Sequence, residues 1–235
     1  MFGIIQGILC LYVKNKQLKK VAFCFDLDGT VTMKEILPII AREVDLYEEI
    51  SILTDATMKG LIPFESSFKL RVRLLSSISI SAIQNIVFDV PLNPDIQKFI
   101  QENKTNCYIV TGNLEVWVGK LIEEVLGCKY FSSTTNVENN EIQSIKKVLN
   151  KGDVISLLRK EYDTIITVGD GMNDCAMFEK ADIGIAYGGI HNPVDSLIDL
   201  SNYVVLNSKS LVNFCLLYTS PSPRDATLSR MPSSA

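Results

Sequence analysis

The run Val21-Ala22-Phe23-Cys24-Phe25 stops abruptly at two carboxylates one residue apart, Asp26 and Asp28, and is followed by Gly29 and Thr30. A short apolar run rich in β-branched and aromatic residues, ended by a glycine turn signal, predicts a strand buried on both faces. Asp26 and Asp28 then stand at the carboxyl end of a central strand, the edge where open α/β sheets bind their ligands.

The rest of the chain supplies the sheet that such a strand needs. Cys107–Val110, Thr164–Val168, Ile183–Tyr187 and Tyr203–Leu206 are further apolar runs of strand length, separated by segments with helical spacing. This alternation predicts an α/β fold with a doubly wound, Rossmann-like parallel sheet. Asn93 and Pro94 read as the N-cap and first position of a helix, and Lys151-Gly152-Asp153 opens another. Val137-Glu-Asn-Asn-Glu-Ile142 reads as a hairpin. Between residues 33 and 88 strand-like runs vanish, and apolar residues recur at helical spacing, as in Phe68-Leu70-Val72-Leu74-Leu75. Turn signals at Lys59-Gly60 and Pro63 divide this stretch into three or four helices. The expected organisation is a catalytic core of residues 18–32 and 89–214, with residues 33–88 as a small helical cap over the active edge. Such lids exclude water and select substrates.

Composition narrows the class of partner. A net charge of -4 leaves no basic footprint for nucleic acid. No stretch approaches the roughly 20 apolar residues of a membrane span. Six cysteines at irregular spacing and one histidine argue against a zinc site or a disulfide framework, and predict a reducing, cytoplasmic setting. The composition does not indicate an oligomeric state. Residues 1–17 read as a doubtful extension: the apolar run precedes Lys14, Lys16, Lys19 and Lys20, the reverse of a secretory signal. At the other end, Cys215 to Asp225 and Ser229 to Ala235 resemble a translated sequencing adapter. Residues 215–235 are therefore expected to be an adapter-derived, disordered artefact, with the native sequence ending near Asn213.

Asp26, Thr111 and Asp170 each directly follow an apolar strand run, so a parallel sheet brings them to one edge. Asp26, Asp28, Asp170 and Asp174 crowded there repel one another unless a cation neutralises them. Oxygen ligands without a Cys or His cluster point to a hard ion, Mg²⁺.

Asp26-x-Asp28-Gly-Thr, Thr111-Gly112, Lys151 and Gly-Asp170-Gly-x-Asn173-Asp174 occur in that order. Together they resemble the four motifs of the haloacid dehalogenase superfamily of aspartate-nucleophile phosphatases, over about Val21 to Leu206. A helical insert between the first two motifs is similar to the cap of its phosphoserine phosphatase branch. The resemblance implies a Mg²⁺-dependent phosphomonoester hydrolase for a small phosphorylated metabolite, with O-phosphoserine as the leading substrate. Asp26 would be the nucleophile and Asp28 the general acid and base. Asp26, Asp28 through its carbonyl, and Asp170 would hold the metal, with Asp174 close by. Thr111, Gly112, Lys151 and Asn173 would bind the phosphoryl group. In the cap, the resemblance implies that Glu35 receives the substrate ammonium and Arg71 its carboxylate, with Met58 and Phe64 as walls. Asn113 departs from the branch, which usually carries glycine there, and leaves room for another phosphomonoester. A phosphomutase or phosphotransferase of the same superfamily is the alternative.

Overall fold

The computed structural model describes residues 20–219. The doubtful extension 1–17 and residues 220–235 lie outside that range. Residues 215–219, expected to be disordered, instead continue the helix Ser208–Thr219, in which Cys215 is buried against the core.

β1 (Val21–Phe25) is buried at every position and lies between two parallel partners, β2 (Cys107–Leu114) and β5 (Thr164–Gly169). β3 (Lys129–Glu138) adds in parallel to β2, and β6 (Ile183–Tyr187) with β7 (Tyr203–Val205) extend the other side. β4 (Glu141–Lys147) pairs antiparallel with β3, so the sheet has seven strands in the order β4-β3-β2-β1-β5-β6-β7. The chain turns between β3 and β4 at Asn139 and Asn140, both at positive φ (50° and 64°), a backbone that asparagine tolerates and that matches the twist of a tight hairpin. The sequence indicated the hairpin tip but not the length of its two arms.

Alternation along β1 divides the core. Phe23 and Phe25 point to one face, where they meet Phe99 edge-on at ring-centroid distances of 5.2 and 6.1 Å. Ala22 and Cys24 point to the other, under Val154 and Ile155 of the helix Lys151–Leu158. Phe99 lies on the helix Pro94–Glu102, which begins as its sequence predicts: Pro94 takes the first turn, and Asn93 Oδ1 accepts from the backbone N–H of Asp95 and Ile96 at 3.2 and 3.4 Å. Ile96, Phe99 and Ile100, at helical spacing, are its buried stripe.

The insert holds four α-helices, Ile36–Ala41, Tyr47–Met58, Phe64–Leu75 and Ile80–Phe88. The chain leaves and re-enters the core through two segments that pair with each other. Thr32 and Leu92 form an antiparallel bridge, Met33 donates to the Pro91 carbonyl, and Asn93 donates to that of Val31, both at 2.8 Å. The tip of the β3–β4 hairpin also reaches the cap: Ile80 N–H donates to the Asn140 carbonyl at 2.9 Å, and Asn140 Nδ2 donates to Ser81 Oγ at 2.9 Å.

Among the described residues no helix is long and apolar enough to cross a membrane. Because Phe99 fills the space against both β1 aromatics, Phe99→Ala is expected to cost about 3–5 kcal/mol of unfolding free energy. Urea denaturation of wild type, Phe99→Ala and the less disruptive Phe99→Leu measures it.

Candidate active site

The carboxyl ends of β1 and β5 adjoin, and the Asp26 N–H donates to the Val168 carbonyl at 2.9 Å. This pairing sets Asp26 beside the turn that carries Asp170 and Asp174. Lys151, at the start of its helix, reaches in from the other side of the sheet edge: its Nζ lies 2.6 Å from Asp26 Oδ1 and 2.6 Å from Asp174 Oδ1. All three side chains are buried, so Lys151 is no solvated helix-start lysine. Asp174 Oδ2 accepts from the backbone N–H of Asp170 and Gly171, both at 3.0 Å, which fixes the loop after β5. Thr30 Oγ1 donates to Asp170 Oδ1 at 3.2 Å.

Asp28 faces the cap. Gly29 follows it at φ 67°, a left-handed turn that a side chain resists and that swings the chain off the strand. Asp28 Oδ1 accepts from the Ile36 N–H at 2.9 Å, at the start of the first cap helix, while Oδ2 accepts from Asn113 Nδ2. Glu35 lies at the N-cap position of that helix. Arg71 is buried in the cap, donating from Nη1 to Thr54 Oγ1 at 2.8 Å, with Thr57 and Ser67 hydroxyls paired beside it at 2.6 Å. Phe64 covers the backbone of Gly112 so closely that a Cβ there would stand 2.3 Å from the ring. Asp26, Asp28, Asp170, Glu35, Arg71 and Asn113 line one cleft between cap and core.

Burial pushes the Asp26 and Asp170 carboxyls well above their ordinary range, and the nearby charge of Asp174 adds to it. Burial followed by the neighbouring Glu35 pushes Asp28 up to about 7. Burial works against the charge of Lys151, but Asp174 and Asp26 outweigh it and raise its pKa. Burial lowers that of Arg71, against the pull of Asp28 and Glu35. One lysine therefore serves several buried carboxylates, and more positive charge fits. Asp26, Asp170 and Asp174 bring oxygens within 4.8 Å of one another, and Asp170 Oδ2 is buried without a hydrogen-bond partner among the described residues. Oxygen-only donors of this kind suit a hard divalent cation. Both oxygens of Asp174 are engaged by Lys151 and the loop amides, which leaves Asp26 and Asp170 as the carboxylates open to such an ion.

The sequence profile of haloacid dehalogenase-like hydrolases matches residues 21–182. The chain belongs to this family. It is 30% identical over 182 residues to the phosphoserine phosphatase of Methanocaldococcus jannaschii, covering 72% of this chain and 86% of that one. It is 27% identical over 203 residues to human phosphoserine phosphatase, covering 75% and 88%. A solved structure described as a substrate-bound phosphoserine phosphatase complex superposes with a TM-score of 0.73 at 25% identity, over 85% of this chain and 99% of that one. The described sheet and cap are thus those of a haloacid dehalogenase-like hydrolase.

Of the residues expected at the site, Asp26, Asp28, Glu35, Met58, Phe64, Arg71, Gly112, Asp170 and Asn173 line the cleft. Lys151 and Asp174 lie behind Asp26, and Thr111 is buried at the sheet edge, its Oγ1 accepting from the Asn113 N–H at 3.1 Å. Sequence reasoning passed over Thr54 and Thr57, cap-helix hydroxyls with no pattern to mark them. It also passed over His191, whose Nε2 lies 3.0 Å from Asp170 Oδ2; being the only histidine of the chain was its one signal. Replacing the shared cation by Lys151→Met leaves two buried carboxylates unpaired and is expected to cost about 3–5 kcal/mol. Urea unfolding in chelator, compared with an exposed control such as Lys98→Met, measures it.

Proposed function

We propose that the protein is a Mg²⁺-dependent phosphomonoester hydrolase that acts on O-phosphoserine through an aspartyl-phosphate at Asp26. The observation that carries this reading is the cleft itself, where paired carboxylates on the core face an opposed Glu35 and Arg71 on the cap. Family membership and the relatives named phosphoserine phosphatases support it.

Asp26 has Oδ1 engaged by Lys151, which orients its other oxygen toward an incoming phosphorus. Attack forms the Asp26 O–P bond and breaks the ester P–O bond, and the electron pair leaves on the serine oxygen. Asp28 gives that oxygen its proton; a carboxyl raised to about 7 still holds one near neutral pH. Asp28 then accepts a proton from water as the water oxygen attacks phosphorus, releasing inorganic phosphate and restoring the Asp26 carboxylate. Thr111, the Gly112 N–H, Asn173 and Lys151 hold the phosphoryl oxygens as charge grows on them. Mg²⁺, held by Asp26, Asp170 and the Asp28 carbonyl, supplies charge neutralisation at those oxygens when bound.

The amino-acid head is recognised by charge. Glu35 takes the ammonium, and Arg71, braced by Thr54, takes the carboxylate between the walls of Met58 and Phe64. Asn113 commits its amide donor to Asp28, which supports a role in orienting the acid. The five described cysteines are free thiols, which supports a reducing cytoplasmic setting.

Phosphate release from a panel of phosphomonoesters is expected to be led by phosphoserine and abolished by Asp26→Asn. Arg71→Ala is expected to lower kcat/KM for phosphoserine by about 100-fold, as for loss of a buried charge-assisted pair, and to affect p-nitrophenyl phosphate far less. A folded protein that hydrolyses other esters and ignores phosphoserine would overturn the substrate assignment. A phosphorylated acceptor in place of free phosphate would identify a phosphotransferase instead. Mg²⁺ at one hundred times its Kd is expected to raise Tm by roughly 5–10 °C, and Asp170→Asn to abolish the shift in a calorimetric scan.

A further inference from the structure

His191 belongs to the loop between β6 and the helix Asp195–Leu200, which is tied to the site at its end: Val194 N–H donates to the Asp170 carbonyl at 3.1 Å. The imidazole Nε2 lies 3.0 Å from Asp170 Oδ2 and 3.4 Å from Glu35 Oε1. The contact to Asp170 lacks the alignment of a hydrogen bond, and that carboxylate oxygen is buried without a partner among the described residues. The three atoms face a common space, which exists because residue 29 is glycine. A Cβ built there would lie 2.7 Å from Asp170 Oδ2, 2.7 Å from His191 Nε2 and 3.2 Å from Glu35 Oε1.

Two carboxylate oxygens and an imidazole nitrogen around one small space form a ligand set that differs from the all-oxygen set facing Asp26 by its nitrogen donor and shares Asp170 with it. Bonds of about 2.0–2.2 Å to a metal put neighbouring ligand atoms about 3.0–3.5 Å apart, the spacing already seen between His191 and the two carboxylates. A nitrogen donor favours Zn²⁺, Co²⁺ or Ni²⁺ over Mg²⁺, which prefers oxygen and water. We propose that Glu35, Asp170 and His191 form a transition-metal site that spans cap and core and shares Asp170 with the catalytic centre. On the functional reading above, an ion there withdraws Glu35 from the substrate ammonium, so occupation inhibits by weakening substrate binding. This regulatory consequence rests on that reading; the metal site does not.

Zn²⁺ titrated calorimetrically into the full chain at saturating Mg²⁺ tests the site. Wild type is expected to bind, and His191→Ala to lose at least about tenfold in Zn²⁺ affinity while its Mg²⁺ affinity, measured separately, stays within about twofold. The His191 side chain is one-third exposed and, among the described residues, hydrogen-bonds only to Glu35, so its removal leaves the fold intact. Glu35→Gln is expected to weaken Zn²⁺ in the same direction. The visible absorption of bound Co²⁺ should shift in His191→Ala as nitrogen leaves the coordination sphere. Equal Zn²⁺ affinity in wild type and His191→Ala, with an unchanged Co²⁺ spectrum, overturns the proposal and leaves His191 as a neighbour of two carboxylates without a metal role. In kinetics, Zn²⁺ is expected to raise KM for phosphoserine in wild type and not in His191→Ala. Zn²⁺ binding that depends on His191 without any effect on KM keeps the metal site and removes Glu35 from the substrate pocket.

Discussion

Lys151 carries its charge into a place shielded from water, between Asp26 and Asp174, and much of the site depends on that arrangement. A buried ammonium is tolerated only with partners at hydrogen-bond distance, and two carboxylates at 2.6 Å provide them. The reverse also holds, since neither carboxylate has another cation in contact among the described residues. Asp174 passes the constraint on: its second oxygen gathers the amides of Asp170 and Gly171, so the lysine holds the β5 loop through one intermediary. The helix Lys151–Leu158, the end of β1 and the loop after β5 are thereby pinned at a single point.

The same logic governs the seam with the cap. Asp28 belongs to the core by sequence, yet one of its oxygens accepts from the first N–H of the cap helix at Ile36. Glu35 and Arg71 belong to the cap, yet both face core carboxylates. Arg71 brings positive charge toward Asp28 while Glu35 adds a carboxylate to those already there, so the seam gathers more negative than positive charge, and the cleft is polar in its head groups and apolar in its walls.

The strand that ends in Asp26 and Asp28 was legible because a five-residue apolar run with no polar interruption has few places to go except the middle of a sheet. The helix start at Asn93-Pro94 was legible for an equally local reason, as capping chemistry needs only three residues. The pairing of Lys151 with Asp174 was harder, because the residues are 23 apart and nothing local distinguishes this lysine from a solvated one. The motif order placed both residues at the site but did not pair them. His191 escaped altogether. Its partners are 21 and 156 residues away, and a single histidine on a glycine-flanked loop carries no periodicity from which its direction could be read. The helix Ser208–Thr219 runs on through residues 215–219, where disorder was expected, because a resemblance to an adapter says nothing about whether residues such as Cys215 can continue an apolar face.

The two crossings between core and cap are hydrogen-bonded to each other on either side of Thr32 and Leu92, and this has a mechanical consequence. Two separate flexible tethers would let a lid drift and twist, and each return to the closed position would have to recover that lost freedom. A paired ribbon resists shear and twist, so it fixes the direction of the cap more tightly than two separate tethers would. On the far side, the hairpin tip at Asn140 meets Ser81 like a latch plate. Tied at one edge by that ribbon and at the other by the hairpin tip, the cap holds Arg71 and Glu35 in register with the core carboxylates without any substrate in place to guide them.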